Sequence, residues 1–423
     1  MISLIEALNF RCLRYIRQPL GPFHILVGPN ASGKTTFLDV VAFLGQLVSE
    51  GLDVAINERT ENFKDLVWGR SGENFELAIE AKIPEEFRIR LKNKDPRKDF
   101  DTIRYEVSVG IDPDTQEVSI LAEKALLKEY RHPIQKIRSL FPMEVEPPNT
   151  ILTPSGLRGA RTVVNKVPGG NDNFYSEVYQ ESGKGWAPAF KFGPRKSALG
   201  NLPGDESKFP VATWLKNLLS EGVQQFILNS MLIRKASPPG QIRGFIPDGS
   251  NLPWVIHRLK KKAPNNFRNW VIHLQTALPD IENIFTVLRR DDRHRYLRIH
   301  YRGGLKVPSW VASDGTLRLL ALTLPAYLPD FKGIYLVEEP ENGIHPRAVE
   351  TMFQSLSSVY EAQMLLATHS PVILSIADSD KVLCFAKTSE GATDIILGSE
   401  HPALKEWRGE TNLGTLFASG VLG

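Results

Sequence analysis

The chain has 423 residues, 42% hydrophobic and 23% charged, the composition of a soluble globular protein with length for two to three domains of roughly 150 residues. Its formal net charge is only +3, which excludes a whole-chain basic field; any nucleic-acid contact must rest on local patches. Cys12 and Cys384 are the only cysteines, which excludes a disulfide framework or a cysteine zinc site and points to a reducing compartment. Glu6 and Arg11 stand where a signal peptide needs an apolar core. The longest greasy stretch, 317–328, is broken by Arg318 and Pro325 and is too short to span a bilayer. A cytoplasmic protein with no membrane partner is expected.

Residues 1–84 read as an α/β lobe. Ile2–Phe10 is an early strand, Ile25-Leu26-Val27 a short buried one, 36–44 a helix, and 75–80 a strand by its period-two alternation. Between buried strand and helix lies Gly28-Pro29-Asn30-Ala31-Ser32-Gly33-Lys34-Thr35, which fits the P-loop pattern G-x-x-x-x-G-K-[ST] in its proper context. The glycines let the backbone wrap a phosphate, and loop N–H groups and the helix dipole point at the anion. Lys34 is expected to reach the β- and γ-phosphates and Thr35 to ligate Mg²⁺, with Thr36 counted among the nucleotide contacts. The competing reading, a chance glycine loop, does not explain the flanking strand and helix. A nucleoside triphosphate, ATP, with Mg²⁺ is the expected ligand.

The character changes over 85–250, taken as an insertion, lid or arm. The charged run 88–94 alternates with Pro/Gly-rich stretches at 147–149 and 168–171. Residues 105–109, Asp112-Pro113-Asp114 and 117–121 predict a β-hairpin. Trp186 and Phe190-Lys191-Phe192 either anchor a partner or pack a small local core.

Over 251–423 α/β character returns: an amphipathic stretch 252–259 leads into Lys260-Lys261-Lys262, then a helix over 267–278 and strands near 284–288 and 296–301. The basic clusters 258–262 and 289–296, with Trp254, Trp270 and Tyr301 nearby, suit a DNA or RNA backbone. A solvated strand edge explains them equally simply and is slightly favoured. Ser313-Asp314-Gly315 opens a helix; Ser313 is either its N-cap or part of a second anion cradle. Ile334-Tyr335-Leu336-Val337 reads as a buried parallel strand ending in Glu338 and Glu339, at the edge where ligands bind in open α/β sheets. Glu338 would hold Mg²⁺ through water and Glu339 would orient and deprotonate the attacking water; a solvated strand end is the alternative. Met364-Leu365-Leu366 leads to His369, placed to hydrogen-bond a γ-phosphate. Its 30-residue distance from Glu339 leaves room for one crossover helix, 347–359. A final hairpin is expected at 381–386 and 394–397.

The ordered set GPNASGKT, ASDGTLRLL, IYLVEEPENGIHP and LLATHSP resembles the ABC-type ATPases of the RecF, SMC and OLD group, and in particular RecF-like AAA-family ATP-binding proteins without a Toprim domain. The stretch 246–253 is also similar to one found there. The resemblance covers roughly the first 80 and last 180 residues. It implies an α/β, ABC-type P-loop NTPase head with a β-containing and helical insertion between its N- and C-terminal halves. It also implies that Ser313 and Gly315 form a signature loop completing a second protomer's site, that 342–345 form a D-loop, and that His369 is a switch histidine. Glu338 stands where many relatives have Asp, and Asp314 replaces the glycine of the transporter-type signature. The Q-loop glutamine stays open among Gln116, Gln135 and Gln180.

Gly28 and Ser313 lie 285 residues apart; transporter cassettes have a much shorter gap, and SMC chains carry coiled coil there, which this chain lacks. Only 54 residues follow His369, so a nuclease would be a separate chain. The implied role is an ATP-hydrolysing switch that forms an ATP-dependent homodimer and controls a separate effector, such as a nuclease, or a DNA or RNA transaction in bacterial anti-phage defence. A RecF-type repair ATPase is the alternative; the long insertion argues against a transporter subunit.

Overall fold

A computed structural model describes residues 1–91, 99–130, 138–178, 188–241, 244–329, 331–404 and 413–418. Its centre is a six-stranded sheet in the order β10 (Val223–Phe226), β14 (Gly333–Glu338), β15 (Ala362–Ala367), β3 (Phe23–Val27), β16 (Val382–Lys387), β17 (Thr393–Leu397). The first five run parallel and only β17 is antiparallel. The apolar runs explain this burial: alternate residues enter two cores. Leu26, Ile334, Leu336, Leu365 and Phe385 face one; Ile25, Val27, Val337, Met364, Leu366 and Cys384 face the other. A sheet greasy on both faces must be covered on both.

The first cover is α1 (Lys34–Ser49), twelve of whose sixteen residues are buried. Such a helix, apolar nearly all round, belongs inside a protein. Beyond it lies an antiparallel eight-stranded sheet in the order β2 (Leu13–Pro19), β1 (Ile2–Phe10), β4 (Asn74–Lys82), β5 (Thr102–Ile111), β6 (Val118–Lys128), β7 (Ala160–Lys166), β8 (Asp172–Phe174), β9 (Ala189–Phe190). Strands from 1–84 and from 85–250 therefore share one sheet. Short helices α2 (Leu52–Asn57) and α3 (Glu85–Arg88) and the longer α4 (Pro210–Ser220) complete this side. The sheet's inner face is apolar, through Phe75, Leu77, Tyr105 and Val107. Its other face carries charge: buried Arg104 reaches Glu106 at 2.7 Å, Glu6 at 2.8 Å and Glu80 at 3.3 Å.

The second cover consists of α6 (Leu252–Lys262), α7 (Pro264–Ala277), α8 (Asp314–Thr323) and α9 (Pro346–Ser357), after a short α5 (Ser230–Arg234). A three-stranded antiparallel sheet, β11 (Ile281–Leu288), β12 (Arg295–Tyr301) and β13 (Lys306–Pro308), packs with them. The chain closes with α10 (Pro371–Ile376) and α11 (Leu413–Ala418). The 105–121 hairpin is present as β5 and β6, longer than expected, and the final hairpin as β16 and β17. The crossover helix is α9. Trp186 lies outside the described residues; Phe190 and Phe192 stack 5.5 Å apart. No helix among the described residues is long and apolar enough to cross a membrane.

Candidate functional site

Three neighbouring parallel strands deliver the site to one edge. β3 ends at Val27 and β15 at Ala367; in register, Glu338 of β14 lies beside Ala367, and Ala367 beside Leu26. The segments leaving these three strands therefore meet at that edge: the 28–33 loop, Glu339, and Thr368 with His369.

The loop turns through residues that L side chains rarely favour, with φ of 61° at Ala31 and 103° at Gly33. Glycine is required at two points. A Cβ on Gly28 would sit 2.2 Å from the Phe385 carbonyl oxygen, and one on Gly33 would sit 2.3 Å from Thr393 Oγ1. Thr393 in turn donates to the Ser32 carbonyl at 2.9 Å, so the wrap is held from β17. Lys34 folds back over the loop, its Nζ donating to Gly28 O and Pro29 O, both at 2.8 Å. Burial pulls its ammonium below the ordinary value, opposed by Glu339 and Glu338. Thr35 Oγ1 donates to Glu338 Oε2 at 2.6 Å, across 303 residues of sequence.

Glu339 has φ of 44°, a strained conformation for a residue with a Cβ. Its N–H donates to Ala367 O at 2.8 Å and its carbonyl accepts from Asn342 N at 3.0 Å. Asn342 Nδ2 also donates to its carboxylate at 2.5 Å, which orients the side chain. Glu341 carries no role in the sequence motifs, yet it ties the edge together. Its Oε1 accepts from Thr368 Oγ1 at 2.6 Å and from His369 N at 3.0 Å. Burial and then the Lys34 charge lower the His369 pKa from its ordinary value of 6.5, with Glu339 and Glu341 opposing.

A cavity of about 540 Å³ brings together Asn30 to Thr36, Glu338, Glu339 and His369. Ser313 and Gly315 do not line it. Ser313 Oγ accepts from Thr316 N at 3.2 Å and so caps α8, while Asp314 pairs with Arg234 at 2.5 Å. A Cβ on Gly315 would meet Gly343 O at 2.6 Å, so this loop packs tightly on the turn after Glu339. Gln116 sits in the β5–β6 turn with φ of 59° and is not in the cavity wall; Gln135 and Gln180 lie outside the described residues. Arg11, Cys12, Asp65, Arg70 and Lys387 also line the cavity, and no motif announced them. They arrive from other elements, Arg11 on the β1–β2 turn, where Asp39 of α1 holds it at 3.1 Å.

The family model described as "AAA domain, putative AbiEii toxin, Type IV TA system" matches residues 23–375. The chain belongs to this AAA-domain family. It is also 49% identical over 41 residues to an "OLD nuclease" of Thermus scotoductus, a match covering 10% of this chain and 8% of that relative. Two solved structures are similar in fold. One is an Smc head bound to the C-winged helix domain of ScpA (14% identity, TM-score 0.51, covering 93% of this chain and 97% of that one). The other is an Smc head domain with an extended coiled coil, bound to the C-terminal domain of ScpA derived from Pyrococcus furiosus (14%, 0.52, 96% and 99%). The fold is that of an ABC-type P-loop ATPase head, as the RecF/SMC/OLD resemblance implied.

The residues of this family member fit Mg²⁺ and a triphosphate. Ser32 Oγ is buried in the loop without a hydrogen-bond partner, an uncompensated group of the kind a ligand satisfies. Among the described residues no cluster of three or more His, Cys, Asp or Glu could hold a metal unaided. Mg²⁺ suits this, since it is commonly held by one or two protein ligands together with phosphate oxygens.

Proposed function

We propose that the chain is an ATP-hydrolysing switch that pairs with a second copy around ATP and controls a separate effector protein, such as a nuclease, in bacterial anti-phage defence. The observation that carries the ATPase reading is the convergence of Lys34, Thr35, Glu338, Glu339 and His369 on one cavity. Bound Mg²⁺·ATP would supply the scissile anhydride, with the metal neutralising phosphate charge. Lys34, which here bonds its loop carbonyls, would hold the β- and γ-phosphate oxygens, and Thr35 and Glu338, here bonded to each other, would hold the metal. Glu339, oriented by Asn342, takes the proton of the attacking water. His369, its imidazole held below its ordinary pKa first by burial and then by the Lys34 charge, would donate a hydrogen bond at the γ-phosphate end. The dimer reading rests on Ser313 and Gly315: at the start of α8, exposed or partly exposed and outside their own chain's cavity, they suit the cavity of a partner copy.

Glu339→Gln tests this. The variant is expected to bind ATP, to lose turnover, and to run as a dimer in size-exclusion chromatography with ATP present. Normal turnover would remove Glu339 from the chemistry, and a monomer at saturating ATP would remove the sandwich. Mass spectrometry of proteins that co-purify with this variant from its host then tests the effector: a nuclease or toxin-like chain supports it, and recombination proteins overturn it.

A second reading, a RecF-type repair ATPase, is favoured by the 258–306 surface. Its exposed Lys260 lies 4.7 Å from the Phe285 ring, beside Lys261 and Lys262 at the end of α6. DNA-stimulated turnover with a steep salt dependence would support that alternative.

A further inference from the structure

The polar face of the eight-stranded sheet carries a second concavity, of about 510 Å³, nearly the size of the cavity at the P-loop and within the range of small-molecule sites. It lies on β6 and β7 beside the 153–157 loop. Its wall contains two cations, Lys124 and Arg161, and no carboxylate. Neither cation is committed to an acid there. Lys124 Nζ donates to Thr153 O at 2.7 Å; Arg161 donates to Glu177 O at 3.0 Å and Ser176 O at 2.5 Å.

The nearest carboxylates are occupied elsewhere. Glu106 accepts from Thr153 N and Oγ1 and from Arg104. Glu177 accepts from Val211 N and Ala212 N at the start of α4. Two positive charges therefore face one cavity with backbone carbonyls as their hydrogen-bond partners and no ion pair, the Glu177 carboxylate acting on Arg161 only through space. Thr162, Asn165 and Tyr175 also line the wall, and among the described residues their side chains have no hydrogen-bond partner. Tyr175 and Leu157 leave 40% and 49% of their surfaces exposed, so a ring has apolar surface to lie on.

We propose that this cavity binds a nucleoside phosphate, its phosphate held by Lys124 and Arg161 and its base or ribose by Thr162, Asn165 and Tyr175. Two cations with no carboxylate recruit a phosphate directly, so binding needs no divalent metal. This separates the site from the P-loop cavity, where Glu338 and Glu339 would repel a metal-free triphosphate.

The probes are mant-labelled AMP and GMP, read by fluorescence anisotropy in EDTA on full-length Lys34→Ala protein, so that the P-loop neither contributes nor decides the result. Saturable binding of at least one probe is expected. Lys124→Gln is expected to weaken it by ~10-fold or more, the factor for a lost charge-assisted hydrogen bond. Thr162→Trp, at an exposed position of the wall, fills the cavity without disturbing a hydrogen bond and should abolish binding with an unchanged thermal melt. Failure of both probes to saturate, or saturation that survives Thr162→Trp, overturns the proposal.

Discussion

The six-stranded sheet is apolar on both faces, so its polar groups collect at one edge; the eight-stranded sheet is apolar on one face and spreads its charges over the other. In the first, Glu338, Glu339 and His369 stand where the strands end, with few protein partners and room for a ligand. In the second, Arg104, Glu6, Glu80 and Glu106 lie mid-strand and satisfy one another. The same residue types thus line a candidate ligand cavity in one place and hold structure in the other. Position relative to the sheet, not charge, separates the two.

Paired substitutions sharpen this contrast most. Glu339→Gln should slow ATP turnover by ~10²–10⁴-fold, the range for a lost general base, while shifting stability by no more than ~0.5 kcal/mol, since its carboxylate is exposed. Arg104→Met should do the reverse. It strands buried carboxylates, at a cost of ~3–5 kcal/mol, yet the folded fraction should bind and hydrolyse ATP normally. Urea unfolding and steady-state turnover measured on both proteins check this. An Arg104→Met protein with normal stability, or a Glu339→Gln protein that unfolds early, would erase the distinction.

A smaller effect tests how the edge is positioned. Glu341 holds Thr368 and the His369 N–H through one oxygen, and its other oxygen is buried without a partner. Glu341→Gln keeps the accepting oxygen but buries an unpaired amide, at ~1–3 kcal/mol. It also removes a charge that raises the His369 pKa. Since that pKa already lies below its ordinary value, it falls further, and neutral His369 persists to lower pH. The acid limb of the pH–rate profile should therefore move to lower pH. A purely structural role would lower stability and leave that limb in place.

Much of the six-stranded sheet was legible because burial on both faces leaves uninterrupted apolar runs, and the candidate site sits directly where such runs stop: Val27 before the P-loop, Val337 before Glu338, Leu366 shortly before His369. The eight-stranded sheet was harder to read past the β5–β6 hairpin. β7, β8 and β9 are short or carry charge on the face a simple alternation assigns to solvent, as with Lys166, which is buried against Asp172 at 2.7 Å. Arg11, Asp65, Arg70 and Lys387 belong to the cavity only because separate elements fold beside it, and Glu341 because its partner, Thr368, lies 27 residues on. Such tertiary meetings leave no local periodic signal.

Ser313 is the least direct of the site assignments. As an N-cap alone, Ser313→Ala should cost ~1 kcal/mol and leave turnover unchanged. Ser313→Asp preserves the cap, because a carboxylate also accepts from Thr316 N, so it should melt like the parent. If Ser313 faces the γ-phosphate of a partner copy, that same aspartate sets negative charge against negative charge. ATP-dependent dimerisation and turnover should then fall together, while ATP binding to the monomer stays intact. Stability and dimerisation thus move independently in Ser313→Asp. Sedimentation with and without ATP distinguishes the cases: an Asp variant that still dimerises and turns over normally confines Ser313 to capping α8.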